Sequence, residues 1–103
     1  MADYVLSNKA DTDLGEIYAY SHQTFGEARA DAYFHELEQC LTALAGHPGM
    51  GRSVDHLLPG LLRHVHQQHA VFYLIEGSDI FVVRILHHGM EIQRHLDPAD
   101  RTD

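Results

Sequence analysis

The 103-residue sequence predicts a single α+β domain in the order β-α-α-β-β-β, with a helical hairpin packed on one face of a small antiparallel sheet. Three observations carry this expectation. Two successive stretches have helical apolar periodicity and are split at Phe25-Gly26, the composition turns to strand chemistry after Arg52, and the later runs are separated by polar breaks of hairpin length. The length suits one core and leaves no room for a second domain, so residues 1–103 are read as one unit.

The first element is a short strand, Tyr4 to Leu6. Ser7 follows as an N-cap, and Asp11 and Asp13 sit in the first turns of a helix, near the positive end of its dipole. Leu14, Ile17, Tyr18 and the turn from Ser21 to Phe25 repeat at i, i+3, i+4 and i+7, which gives that helix one buried face to about Thr24. Gly15 in its interior reads either as a tolerated loss or as a close approach by a neighbouring helix. Phe25-Gly26 stops it, since glycine takes the left-handed conformation that ends helices.

A second helix is predicted from Glu27 to Ala45, with Ala30, Tyr33, Phe34, Leu37, Leu41 and Leu44 as its stripe and Gly46-His47-Pro48-Gly49 as its stop. Asp31, Glu36 and Glu38 form its solvated outer face. Cys40 falls on the stripe and reads as buried filler. Leu61 to His66, Ala70 to Ile75 and Ile80 to Leu86 then form an antiparallel meander. Its middle run is apolar on both faces and belongs in the sheet interior. The N-terminal strand lies alongside, and the sheet face away from the helices is expected to be free for a partner.

Charge narrows the function. Formal net charge is −8 with ten histidines, and the lone lysine, Lys9, lies in the more acidic N-terminal half. Sequence-blind binding to a phosphate backbone needs clustered Lys and Arg, so direct nucleic-acid binding is not expected. No run approaches the length of a membrane span, the start lacks the features of a signal peptide, and one cysteine cannot form an internal disulfide; a cytoplasmic protein with no membrane partner is expected.

The stretch Val83-Arg84-Ile85-Leu86-His87-His88-Gly89-Met90-Glu91 ends an apolar strand in paired imidazoles and a turn. His87 or His88 with Arg63 and Arg84 offers residue types suited to phosphodiester cleavage, a group titrating near neutrality beside a cation. The preferred account of the arginines is pairing with local carboxylates or with a partner chain. His64 and His66, at i and i+2 on one strand, share a face as metal ligands do, but no cysteine or suitably spaced carboxylate joins them, so neither metal nor cofactor is expected. Phosphate loops, nucleophile elbows and HExxH helices are absent.

Tyr4-Val5-Leu6-Ser7, Asp13-Leu14, Ile17-Tyr18, Phe25-Gly26, Tyr33, Leu37, His47-Pro48-Gly49-Met50-Gly51-Arg52, Asp55, Pro59-Gly60-Leu61, Arg63, His69, Val71-Phe72-Tyr73 and Arg84-Ile85-Leu86-His87 occur in order along the chain. Together they resemble the ParE toxins of the RelE/ParE superfamily. The chain departs from the pattern at Leu62, where relatives often carry a second arginine, and at Met90-Glu91, where Met-Asp is common.

The resemblance implies the RelE/ParE-like fold and the toxin half of a bacterial type II toxin–antitoxin pair. It implies a toxin that inhibits DNA gyrase by binding, has no chemistry of its own, and is held inactive in a hetero-oligomer with a ParD-like antitoxin. The alternative it carries is a RelE-like ribosome-dependent mRNA endoribonuclease, disfavoured by the missing lysines and the acidic charge. Arg52, Arg63, Arg84, His87, His88, Arg94 and His95 are the residues expected to bind the target.

Overall fold

The structure is a computed structural model and describes residues 2–89. Strand β1 (Tyr4–Leu6) leads into helix α1 (Asn8–Phe25), which is followed by α2 (Glu27–Gly46) and a 3-10 turn, Pro48–Met50. Strands β2 (Arg52–Ser53), β3 (Leu62–His66), β4 (His69–Glu76) and β5 (Asp79–His87) complete it. Among the described residues no helix is long and apolar enough to cross a membrane.

Ser7 caps α1 as its sequence position predicts, accepting the Ala10 amide at 2.9 Å. Its hydroxyl also donates to the Val83 carbonyl at 2.7 Å, so one buried side chain starts the helix and ties it to β5. Gly26, at φ 93°, ends α1 and opens α2. That positive φ is the reason a glycine is needed between them. At Gly15 nothing lies within 4 Å of where a Cβ would stand, so of its two readings the close helix approach is ruled out.

The five strands are ordered β1-β5-β4-β3-β2. The meander β3-β4-β5 is antiparallel as expected, and β4 occupies the middle of the sheet. β1 pairs with β5 in parallel, Val5 opposite Phe81, so the whole sheet is mixed rather than uniformly antiparallel. The helical hairpin carries the chain from β1 across the sheet to the far edge, and three reversals bring it back with β5 running in the direction of β1. β2 is a two-residue strand too short to show a period in the sequence.

Leu14, Leu37, Leu41 and Leu44 from the hairpin meet Val71, Tyr73, Ile80, Val82 and Ile85 from one sheet face in the main core. The opposite face is not bare, which corrects the expectation of a free surface. The segment from Val54 to Leu61 folds back on itself and places Val54, Leu57, Leu58 and Leu61 in a second core with Ala70, Phe72, Leu74, Phe81, Val83 and Leu86. β4 supplies both cores, which explains why its sequence is apolar at consecutive positions.

Two polar attachments fix the periphery. The Tyr73 hydroxyl accepts the Gly51 amide at 2.9 Å and donates to the Pro48 carbonyl at 2.6 Å, which holds the 3-10 turn on the sheet. On β5 a bulge breaks the alternation, with Tyr73 facing Val82 and Phe72 facing Arg84 while Val83 is the extra residue. Bulges re-aim the side chains beside them. Here Arg84 points to α1, where Asp13 receives it.

Candidate functional site

A groove of about 920 Å³ runs between the helical hairpin and the end of the sheet formed by the β3–β4 turn and the last residues of β5. Its helix side carries Tyr20 and Phe25, respectively 64% and 54% exposed, together with Arg29, whose guanidinium lies 5.8 Å over the Phe25 ring. Large aromatic side chains left in water beside a concave surface mark a place where another chain packs. The Asp13–Arg84 ion pair lies at its floor, and Glu16, Glu36 and Arg29 also line it. That leaves the groove acidic by about one charge.

At the sheet end of the groove four imidazoles gather. His66 and His69 face each other across the β3–β4 turn, and His69 is opposite His87 in the β4–β5 ladder. The His87 and His88 rings stack with centroids 4.8 Å apart. From α2 the Tyr33 hydroxyl reaches His69 Nδ1 at 2.6 Å. Burial first, and then the neighbouring imidazoles of His87, His66 and His88, lower the pKa of His69 to about 4. Burial, with a smaller contribution from His66, also lowers His64, and burial raises the Tyr33 hydroxyl against the opposing effect of a Gln68 backbone hydrogen bond. An imidazole neutral down to such low pH donates no proton at neutrality and is a weak base. Among the described residues no three His, Cys, Asp or Glu side chains are arranged to hold a metal ion.

The residues expected to bind a target separate into groups. Arg84 donates to Asp13 through Nε at 2.8 Å and Nη2 at 2.9 Å, with side-chain exposures of 13% and 7% for the two partners. Its guanidinium is a structural clamp at the base of the groove. Arg52 and Arg63 are directly opposed on β2 and β3, and Arg63 in turn is opposed to Phe72, a residue of the second core. Opposed residues share a sheet face, so these two arginines lie on the side away from the helices while His66, His69 and His87 lie on the helix side. His87 and His88 do stand exposed at the end of the groove. Arg94 and His95 fall outside the described residues.

Sequence reasoning missed Tyr20, Phe25, Arg29 and Glu36 as groove residues. Phe25 reads as the end of a buried stripe, yet it stands at the last turn of α1, where the stripe has run past its partner. The spacing of Phe25 and Arg29, four residues apart across the glycine, was the one available sign of a shared surface.

Comparison with known proteins agrees with this architecture. A family model described as "ParE toxin of type II toxin-antitoxin system, parDE" matches residues 4–92. Toxin ParE1 of Caulobacter vibrioides is 38% identical over 96 residues, 93% of this chain and 99% of the relative. Toxin ParE1 of Mycobacterium tuberculosis is 34% identical over 94 residues, covering 90% and 96% of the two chains, and Toxin ParE of Escherichia coli is 34% identical over 102 residues, covering 98% and 97%. A solved structure titled "Chromosomal ParDE TA system from P. aeruginosa" superposes with a TM-score of 0.72 at 19% identity, over 84% of this chain and 96% of that one, and shares the fold. Two helices on a five-stranded mixed sheet, an unbroken match from the first strand past the last, and three relatives above 30% identity place this chain in the ParE toxin family, the toxin component of type II toxin–antitoxin systems.

Proposed function

We propose that this protein inhibits DNA gyrase by binding it, catalyses no reaction, acts in the cytoplasm, and is silenced by a ParD-like antitoxin that occupies the groove between the hairpin and the sheet end. The observation that best supports a binding role is that none of the three arginines expected to work with the histidines is available to them, which leaves Arg29 as the groove's remaining cation. Phosphodiester cleavage needs a cation and an imidazole within reach of one phosphate, and here Arg84 is committed to Asp13 while Arg52 and Arg63 lie across the sheet from the histidines. The neutral, half-buried His69 is no substitute for an acid at neutral pH.

The groove suits an amphipathic segment that lays apolar side chains against Tyr20, Phe25 and Tyr33. Its slight acidity favours a segment with one or more basic residues, and ordering such a segment on the toxin would cover the surface. Adding the purified protein to a gyrase supercoiling reaction and, separately, to coupled translation tests the reading. Supercoiling should fall in a dose-dependent way while messenger stays intact. Unchanged supercoiling with cleaved messenger would establish the ribonuclease instead.

A further inference from the structure

The β2–β3 ladder sets Arg52 directly opposite Arg63. Like charges opposed on one sheet face destabilise the pairing, and this chain has fifteen acidic residues with which to relieve it. None does so among the described residues. Asp55, the nearest acid along the sequence, commits Oδ1 to the Gly60 amide. Arg63 is half-buried, with its guanidinium 6.0 Å over the Phe72 ring, and Phe72 is itself 3% exposed in the second core. The side chain is thus backed by a fixed aromatic surface while its hydrogen-bonding edge is left without a carboxylate.

We propose that Arg52 and Arg63 form an anion clamp that takes a carboxylate side chain from a partner protein. Guanidinium groups present planar forks that match a carboxylate, and two arginines at opposed positions on one sheet face can reach the same anion, so the ligand converts their repulsion into attraction. Val65, two residues along β3 on the same face, is 43% exposed and offers an apolar neighbour. The ligand is therefore an acidic residue flanked by an apolar one in an extended peptide. A nucleic acid is the poorer fit, because two isolated cations on a chain of net charge −8 cannot follow a phosphate backbone. That the carboxylate belongs to a protein target rests on the binding role proposed above; the clamp itself rests on the register.

The full chain, labelled with ¹⁵N at arginine, is titrated with the blocked peptide acetyl-Leu-Glu-Leu-amide, its Leu-Gln-Leu analogue and a six-nucleotide oligothymidylate, following the Nε–H signals. The Glu peptide should shift Arg52 and Arg63 together and saturably. Binding should weaken about tenfold for the Gln analogue and for R52Q or R63Q, as expected on losing a hydrogen bond to a charged group. Equal binding of the two peptides, absence of shifts, or tighter binding of the oligonucleotide would overturn the clamp. The same preparation in the supercoiling reaction separates the two readings. Inhibited supercoiling with no peptide shift removes the clamp alone, whereas peptide binding with unaffected supercoiling supports the clamp and removes gyrase as the target.

Discussion

Arg84 holds the Asp13 carboxylate by two hydrogen bonds, 2.8 Å from Nε and 2.9 Å from Nη2, and the same carboxylate accepts the Ile85 amide at 3.0 Å. Three donors converge on one buried acid, which therefore fastens α1 to the bulge of β5. Ser7 makes the second fastening at the N-terminus of the same helix, through the Val83 carbonyl. The groove floor is built on these two attachments.

Removing one partner of a buried pair leaves the other charge uncompensated. Asp13→Ala should cost ~3 kcal/mol or more, a fall in melting temperature of roughly 15 °C for a domain this size. The combined replacement Asp13→Leu with Arg84→Met should recover much of that loss, since apolar groups of similar size often match a buried pair. Urea denaturation of the three proteins decides it. A double variant no more stable than Asp13→Ala alone would show that the Ile85 amide, not Arg84, is what needs Asp13.

Gly51 has an ordinary extended backbone, φ −77°, so conformation does not explain it. Close approach does: a Cβ there would run into the Tyr73 ring and hydroxyl, which are fixed in the core. Gly51→Ala should therefore destabilise by about 1–3 kcal/mol, the range for overpacking a filled site. Tyr73→Phe removes the hydroxyl, which is the nearest part of the clash, together with both hydrogen bonds, and leaves the Gly51 amide unpaired at a cost of about 1–2 kcal/mol. If Tyr73→Phe makes Gly51→Ala cheaper, thermal melts of the single and double variants will show a positive coupling; simple additivity would mean that the two residues do not meet in solution.

Apolar spacing made both helices and the three long strands legible, because each buries a repeating face and the period survives in the sequence. Ser7 and Gly26 were legible for a similar reason, since cap chemistry is local. Contacts between distant residues were not. Nothing near Tyr4 says that it will run parallel to Ile80, and the 71-residue separation of Asp13 and Arg84 hides an ion pair that occupies the Arg84 guanidinium. Arg52 and Arg63 could be named as cations, but which face they occupy depends on a two-residue strand with no period of its own. The second core escaped notice because the segment from Val54 to Leu61 is irregular, and its leucines follow neither repeat.

Gln67 adopts φ 52° in the two-residue turn between His66 and His69. Such turns require positive φ, which glycine and asparagine accept more readily than glutamine. The left-handed conformation costs an ordinary residue ~1 kcal/mol. Gln67→Gly should stabilise the protein by roughly 0.5 kcal/mol after its larger unfolded-state entropy is allowed for. An increase in the urea midpoint at unchanged slope would confirm this. A decrease would mean that the Gln67 side chain makes groove contacts worth more than the backbone strain.

Acid should weaken the fold through His69 before the carboxylates titrate. Its pKa lies at about 4 in the folded protein against 6.5 in the unfolded chain, so between those values the unfolded chain binds more protons. The contribution is therefore complete above about pH 6.5 and is lost as pH falls toward 4, and His64, lowered in the same direction, adds to it. A shift of this size in a fully buried group would be ~3 kcal/mol. His69 is only half-buried, and screening reduces its share to about 1–2 kcal/mol. Urea unfolding at pH 7.5, 6.0 and 5.0 should show stability falling across the series, and His69→Gln, which keeps a hydrogen-bonding side chain beside Tyr33, should flatten the fall. An equally steep decline in the variant would assign the proton uptake to another group.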